Sequence, residues 1–326
     1  MSSRPEELLA NEVYLVKKHH EIKEFDERAL ETAPEHVLRK AEERSRDYEG
    51  LELEGLILDV GCGLGPDALA MVRSGPCEVV GIDISLGAIR MAKRASGGLP
   101  IHLLVADATA LPFRPEAFDG ANVGYVLHHH PWPVVKALLS GLAGVLKPGG
   151  VLVIKEPCPC DEGTALAWEV EAILHDLWVL KELAKATGVL ARELRSFLYL
   201  RSGLFGFGHL YPTLLKAFLA QEGFSILRSE VRRVRRDYTQ LLDRAEERAR
   251  LLPLDEPEEA YIMARIADRR GKMRSIRPSQ PCALFLLAQK GVLVGRPGFE
   301  PGTSSASGRR PTRLDHRPHL SLEEAR

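Results

Sequence analysis

The run Leu56-Ile57-Leu58-Asp59-Val60-Gly61-Cys62-Gly63-Leu64-Gly65 reads as a buried apolar strand that passes into a turn almost bare of side chains. Glycine at alternate positions lets a ligand lie directly against backbone N–H groups. Pro66-Asp67-Ala68-Leu69-Ala70-Met71-Val72 follows with the apolar spacing of a helix. Strand, glycine turn and helix in that order form the front edge of a nucleotide-binding α/β sheet, where ligands sit beyond the carboxyl ends of the strands.

The glycine spacing narrows the ligand. A dinucleotide fingerprint requires G-x-G-x-x-G, with the helix N-terminus facing a pyrophosphate. Here the spacing is Gly61-x-Gly63-x-Gly65, preceded by Asp59. This D-x-G-x-G-x-G pattern resembles the cofactor loop of the class I S-adenosylmethionine-dependent methyltransferases, whose cofactor carries no phosphate for the turn to neutralise. The resemblance implies that S-adenosyl-L-methionine binds along Asp59, Gly61, Gly63 and Gly65.

Further elements fall in the order of that family. Cys77-Glu78-Val79-Val80-Gly81-Ile82-Asp83 is a second β-rich run, ending in an acid about 20 residues beyond the glycines. The implied role of Asp83 is to accept hydrogen bonds from both ribose hydroxyls, with Ile84 beside it; helix capping is the alternative role for such an acid. Ile101-His102-Leu103-Leu104-Val105-Ala106-Asp107-Ala108 is a third run, and the resemblance implies Asp107 at the adenine amine and Ala108 against the ring. The stretch from Phe118 to His128 resembles the family's fourth strand, whose end, with Asn122 and Val123, passes beside the methionine portion. Lys147-Pro148-Gly149-Gly150-Val151-Leu152-Val153-Ile154 matches the turn into its fifth.

The resemblance covers 53–156 with a weaker echo out to 290. It implies an α/β fold: a Rossmann-like, doubly wound, mostly parallel seven-stranded sheet with helical insertions. Cys282-Ala283-Leu284-Phe285-Leu286-Leu287-Ala288-Gln289-Lys290 is the last strand, antiparallel in this family. Without the family, the alternation of strands and helices still gives a mostly parallel sheet covered on both faces.

Around that core, 1–50 is expected to be a helical arm. Thr32-Ala33-Pro34-Glu35 has the form of a capping box with proline in the first turn, and Tyr14, Phe25 and Tyr48 either cover the cofactor or dock the arm on the sheet. The cofactor-binding core is 51–160. A helix opened by Pro131-Trp132-Pro133 is expected to run until Pro148 stops it. The insertion 161–212 reads as long helices with a glycine and aromatic loop, a substrate lid lined by Trp168, Trp178, Phe205, Phe207 and His209 unless the tryptophans are core. In 213–290 the chain returns to the sheet, with a strand over 224–234 and a charged helical insertion over 235–277. The segment 291–326 lacks any apolar period and is expected to be a disordered tail. Its Gly298-Phe299-Glu300-Pro301-Gly302 is similar to an in-frame translation of a transfer-RNA T-arm, which makes read-through the working explanation.

Composition agrees with a folded enzyme. With 326 residues, 45% hydrophobic and a net charge of −1, the chain can bury a large core and shows no bulk basic character for nucleic acid. Five cysteines, an odd number, fit reduced thiols, and the charged start Met1-Ser2-Ser3-Arg4-Pro5-Glu6-Glu7 lacks the apolar run of a signal peptide. A cytoplasmic protein without a membrane span is expected.

Methyl transfer from a sulfonium is an in-line displacement, so aligning the acceptor and excluding water matter before any base. Where the acceptor must lose a proton, histidine is best suited at neutral pH. His128, at the end of the fourth strand, is the candidate base, with His129 and His130 behind it. Glu156, after the fifth strand, would face the crevice as a second base or a substrate ligand. Successive strand side chains point to opposite faces, so the three histidines do not suit one ion and no metal is expected. Cys158-Pro159-Cys160 is similar to a site where some RNA cytosine methyltransferases carry a nucleophilic cysteine, but their Pro-Cys pair after the fourth strand is replaced here by His128-His129-His130-Pro131. The reading is therefore a small-molecule methyltransferase, similar in Val126-Leu127-His128-His129 to the quinone- and sterol-type subgroup. Two alternatives stay open: an RNA methyltransferase gripping tRNA or rRNA with the lid and the Arg232, Arg233, Arg235 and Arg236 cluster, and a non-catalytic cofactor-binding partner subunit.

Overall fold

The computed structural model describes residues 29–130, 132–158, 212–233, 238–252, 256–275 and 282–292, with scattered helical positions in 18–27 and 165–177. Seven strands form one sheet: β1 (Gly55–Val60), β2 (Cys77–Asp83), β3 (Ile101–Val105), β4 (Phe118–Gly124), β5 (Leu146–Cys158), β6 (Phe224–Arg233) and β7 (Cys282–Lys290). Their order is β3-β2-β1-β4-β5-β7-β6. The first five are parallel, and β7 runs antiparallel to both β5 and β6, as the family resemblance implied.

Central parallel strands are buried on both faces, which explains their near-continuous apolar runs. On one face α1 (Pro34–Ser45), α2 (Pro66–Ser74) and α3 (Leu86–Ser96) pack Val37, Ala41, Leu69, Met71 and Met91 against Ile57, Val79 and Val153. On the other, α4 (Trp132–Val145) and α5 (Pro212–Gln221) pack Leu138, Leu142, Leu215 and Leu219 against Leu58, Val123 and Ile154. A smaller apolar cluster joins α6 (Tyr238–Arg250) and α7 (Glu256–Ser275) to Val170, Ile173 and Leu177. Among the described residues no helix is long and apolar enough to cross a membrane.

Two local expectations are corrected. α1 starts at Pro34 with Ala33 as its N-cap and no side-chain cap bond, so Thr32 falls one residue outside the helix and no capping box forms. α4 ends at Val145, before Pro148, because Leu146 already pairs with Phe118 as the first residue of β5. The lid positions Trp168, Trp178, Phe205, Phe207 and His209, together with Tyr14, Cys160, Arg235, Arg236 and the tail beyond 292, lie outside the described residues.

Candidate functional site

The chain winds outward from β1 to β3 and then returns to β4 on the other side, so the strand order reverses between β1 and β4. A crevice opens at the carboxyl ends of such a pair. The glycine turn occupies this place, with Gly61, Gly63 and Gly65 all at positive φ. A Cβ on Gly61 would come within 2.3 Å of Val126 Cγ2, and one on Gly65 within 3.1 Å of Ala92 Cβ. A Cβ on Gly63 would meet nothing within 4 Å. Two of the three glycines therefore serve close packing, and Gly63 alone leaves room for a ligand.

Asp83, at the end of β2, accepts from the Gly63 N–H through Oδ2 and from the Ser85 N–H through Oδ1, both at 2.9 Å. Burial raises its pKa in spite of those two bonds. The side-chain cap of α3 is Ser85, not Asp83: its Oγ accepts from the Ala88 N–H. Ile84 is half-buried between them. One strand over, Asp107 accepts from the Thr109 N–H and hydroxyl through Oδ1, while Oδ2 pairs with Lys18 at 2.5 Å. Burial works against that carboxylate, yet the Lys18 ammonium and Thr109 hold it below the ordinary range. Ala108 packs half-buried against the α4-side core.

The arm before α1 crosses this end of the sheet. Asp26 accepts from the Ser85 hydroxyl at 2.5 Å and the Gly87 N–H at 2.7 Å, and Phe25 meets the His129 ring edge-on at 6.4 Å. Tyr48 docks rather than covers: it is fully buried.

Beneath the glycine turn lies a buried polar network that sequence reading largely missed. Asn122 donates to Asp59 Oδ1 at 2.7 Å, and the Tyr48 hydroxyl lies 3.0 Å from Asn122 Oδ1 and 2.8 Å from Asp67 Oδ1. Lys155 donates to the Tyr48 oxygen at 2.8 Å and pairs with Asp67; Arg44 pairs with Asp67 at 3.2 Å and lies over the Tyr125 ring. Burial, helped by the Asp67 charge, pushes Asp59 up to about 7. Burial would raise Asp67 as well, but Lys155 and Arg44 beside it hold it below the ordinary value. Asp59 and Asn122 thus sit behind the turn rather than on an open wall, and Val123 is wholly buried on the opposite face. A lysine and a glutamate directly after the apolar run Val151–Ile154 were the available signal for Lys155. Tyr125, a non-glycine residue at φ 62 directly after β4, had none.

The structure brings His128 and Glu156 together, though not as expected. His128 lies in a single 3-10 turn (Leu127–His129), and Glu156 lies inside β5, fully buried, instead of facing the crevice. Glu156 Oε1 accepts from the Val126 and Leu127 N–H groups, and Oε2 meets His128 Nδ1, all at 2.7 Å. Burial pushes Glu156 up to about 7, with the backbone N–H groups of Leu127, Val126 and His128 and the neighbouring His129 opposing it. Cys158 is also a buried strand residue, packed in the core and away from the crevice. Arg232 pairs with Asp47 and Glu230 and lies 4.4 Å over the Phe285 ring, so its charge is engaged within the chain. Among the described residues no group of three or more His, Cys, Asp or Glu is placed to hold a metal ion.

The sequence profile of a methyltransferase domain matches residues 57–150. The demethylmenaquinone methyltransferase of Thermus thermophilus is 31% identical over 173 residues, 52% of this chain and 74% of that protein. An O-methyltransferase of Pyrenophora dematioidea is 30% identical over 171 residues, 49% of this chain and 61% of that one. A candidate methyltransferase of Bacillus halodurans C-125, 15% identical, shares the fold with a TM-score of 0.52 over 77% of this chain and 98% of its own.

Proposed function

Because the chain belongs to the class I S-adenosylmethionine-dependent methyltransferases, we propose that it methylates a small hydroxylated aromatic acceptor of the quinol type, with His128 as the proton acceptor. The observation that carries this reading is the Asp83 carboxylate set against the Gly63 amide, where the turn leaves open space. A nucleoside with two hydroxyls suits that site, which offers it a two-oxygen acceptor. The names of the relatives, a demethylmenaquinone methyltransferase and an O-methyltransferase, support the acceptor class.

When bound, S-adenosyl-L-methionine supplies an electrophilic methyl group. Asp83 would hold the ribose and Asp107 the adenine amine, with Ile84 and Ala108 flanking the ring. The Gly61 to Gly65 turn would carry the chain of the cofactor, and Asp59 and Asn122 would stiffen it from beneath, with Val123 anchoring β4 in the core on the other face. Ring hydroxyls and the carbons beside them must lose a proton on methylation, and a histidine does this near neutral pH. A cytoplasmic setting is part of this proposal. The RNA alternative gains no support from Arg232, whose partners are internal.

The test is methyl transfer by the purified protein to a panel of quinols and phenols. His128→Ala is expected to keep cofactor affinity and lose roughly 10²- to 10⁴-fold in turnover. Turnover unchanged in that variant removes His128 from the chemistry, and no transfer to any ring acceptor removes the acceptor class.

A further inference from the structure

Resting on the reading of His128 as proton acceptor, we propose that Glu156 is a positioning residue: it fixes the tautomer of His128 so that Nε2, not Nδ1, receives the proton of the acceptor.

The argument is one of donor and acceptor counting. Oε1 of Glu156 already takes two backbone N–H groups, from Val126 and Leu127. The remaining oxygen, Oε2, faces His128 Nδ1 at 2.7 Å with the carboxyl wholly buried and the ring 8% exposed. A carboxylate in that place can only accept, so the neutral ring carries its hydrogen on Nδ1 and keeps its lone pair on Nε2. As Nε2 gains a proton, the acceptor becomes an anion and the ring a cation, and the buried carboxylate stabilises that cation without moving. The same two backbone bonds tie β5 to the turn after β4, so the strand that positions Glu156 also holds the turn that carries His128.

One proton more reverses the arrangement. A protonated Oε2 must donate to Nδ1, which places the ring hydrogen on Nε2 and blocks it as a base. Burial brings Glu156 into the range where this happens near neutrality. Among the described residues, the other titratable groups around the pair are His129, whose ring is tilted by 37° against that of His128 with centroids 4.1 Å apart, Tyr125 directly after β4, and Cys158 two places along the same strand. On β7 the register partner of Glu156 is the apolar Leu284.

Glu156→Gln is the decisive variant, because glutamine keeps the shape and the two backbone bonds but turns a donating NH₂ toward Nδ1. Turnover is expected to fall about 10²- to 10⁴-fold, with cofactor affinity and acceptor KM within about twofold of the parent. The acidic limb of the pH profile is expected to move to lower pH, since a donating amide disfavours the imidazolium. Nitrogen NMR of the labelled parent is expected to show His128 protonated at Nδ1 alone above about pH 8, and the variant at Nε2. Glu156→Asp, which restores a carboxylate, should recover part of the activity. Turnover within about threefold of the parent in Glu156→Gln, while His128→Ala is impaired, overturns the role given to Glu156 and leaves the base intact. Unimpaired His128→Ala removes the base and the positioning role with it. Should Glu156→Gln fail to fold, the NMR of the parent alone decides: a ring protonated at Nε2 at high pH contradicts the proposal.

Discussion

Tyr48 shows how much one hydroxyl can organise. It touches Asp67, Asn122 and Lys155 with no access to water, so Tyr48→Phe takes one partner from each of three buried polar groups. A loss of about 1–3 kcal/mol is expected from urea unfolding, and a change below about 0.5 kcal/mol would show that the network relaxes around the gap. The glycines of the turn divide in the same physical terms. Gly61→Ala drives a methyl into Val126 and should destabilise the fold, whereas a side chain at Gly63 enters the space a ligand needs. Gly63→Arg is thus expected to leave the protein folded by circular dichroism and unable to bind cofactor by calorimetry. At this scale the placement of Gly63, Asp83 and Asp107 at or just beyond the ends of their strands was legible, because the spacing of a strand end and its following turn is local. The roles of Lys155 and Asp67 were not legible, because they depend on a pairing across 88 positions that only the packed sheet creates. Glu156 was read as a crevice-facing residue beyond the fifth strand, whereas β5 continues to Cys158 and buries it.

Elements tell a similar story. α1 begins with Pro34, which fixes the first turn; Ala33 at its N-cap accepts from the His36 N–H through its carbonyl at 3.0 Å but has no side-chain oxygen for the first-turn N–H groups. Its backbone is already extended there, at φ −84 and ψ 145. Ala33→Ser is therefore expected to stabilise the protein by about 0.5–1 kcal/mol, read as a higher unfolding midpoint; an unchanged midpoint would mean that solvent already satisfies those groups. The arm ahead of α1 is held by polar contacts, Lys18 to Asp107 and Asp26 to Ser85 and Gly87. Replacing both Lys18 and Asp26 with alanine should raise hydrogen exchange through 18–31 while leaving α1 protected. The central parallel strands were readable from their apolar runs, whereas the antiparallel last pairing came only from the family resemblance. The start of α1 and the end of α4 were not, because cap geometry and the pairing of Leu146 with Phe118 override local pattern.

For the molecule as a whole, buried carboxyls set the dependence of stability on pH. Folded Glu156 and Asp59 titrate at about 7 against ordinary values of 4.5 and 3.8, so the native state holds more protons than the unfolded chain between roughly pH 4 and 7. Stability contributed by their protonated forms is lost as pH rises through that window. Asp67, Asp107 and Asp119 are shifted the other way, and their contribution is lost only as pH falls below about 4. The unfolding midpoint is expected to be higher at about pH 5 than at about pH 8, and Asp59→Asn to narrow that difference; a midpoint rising over the same interval would reverse the assignment. The central claim concerns the cleft between β1 and β4, where the Asp83 carboxylate meets the open face of Gly63. Calorimetric titration of S-adenosyl-L-methionine into the parent and into Asp83→Ala tests it most directly. The account predicts saturable one-to-one binding by the parent and none by the variant, and equal binding by both would contradict it.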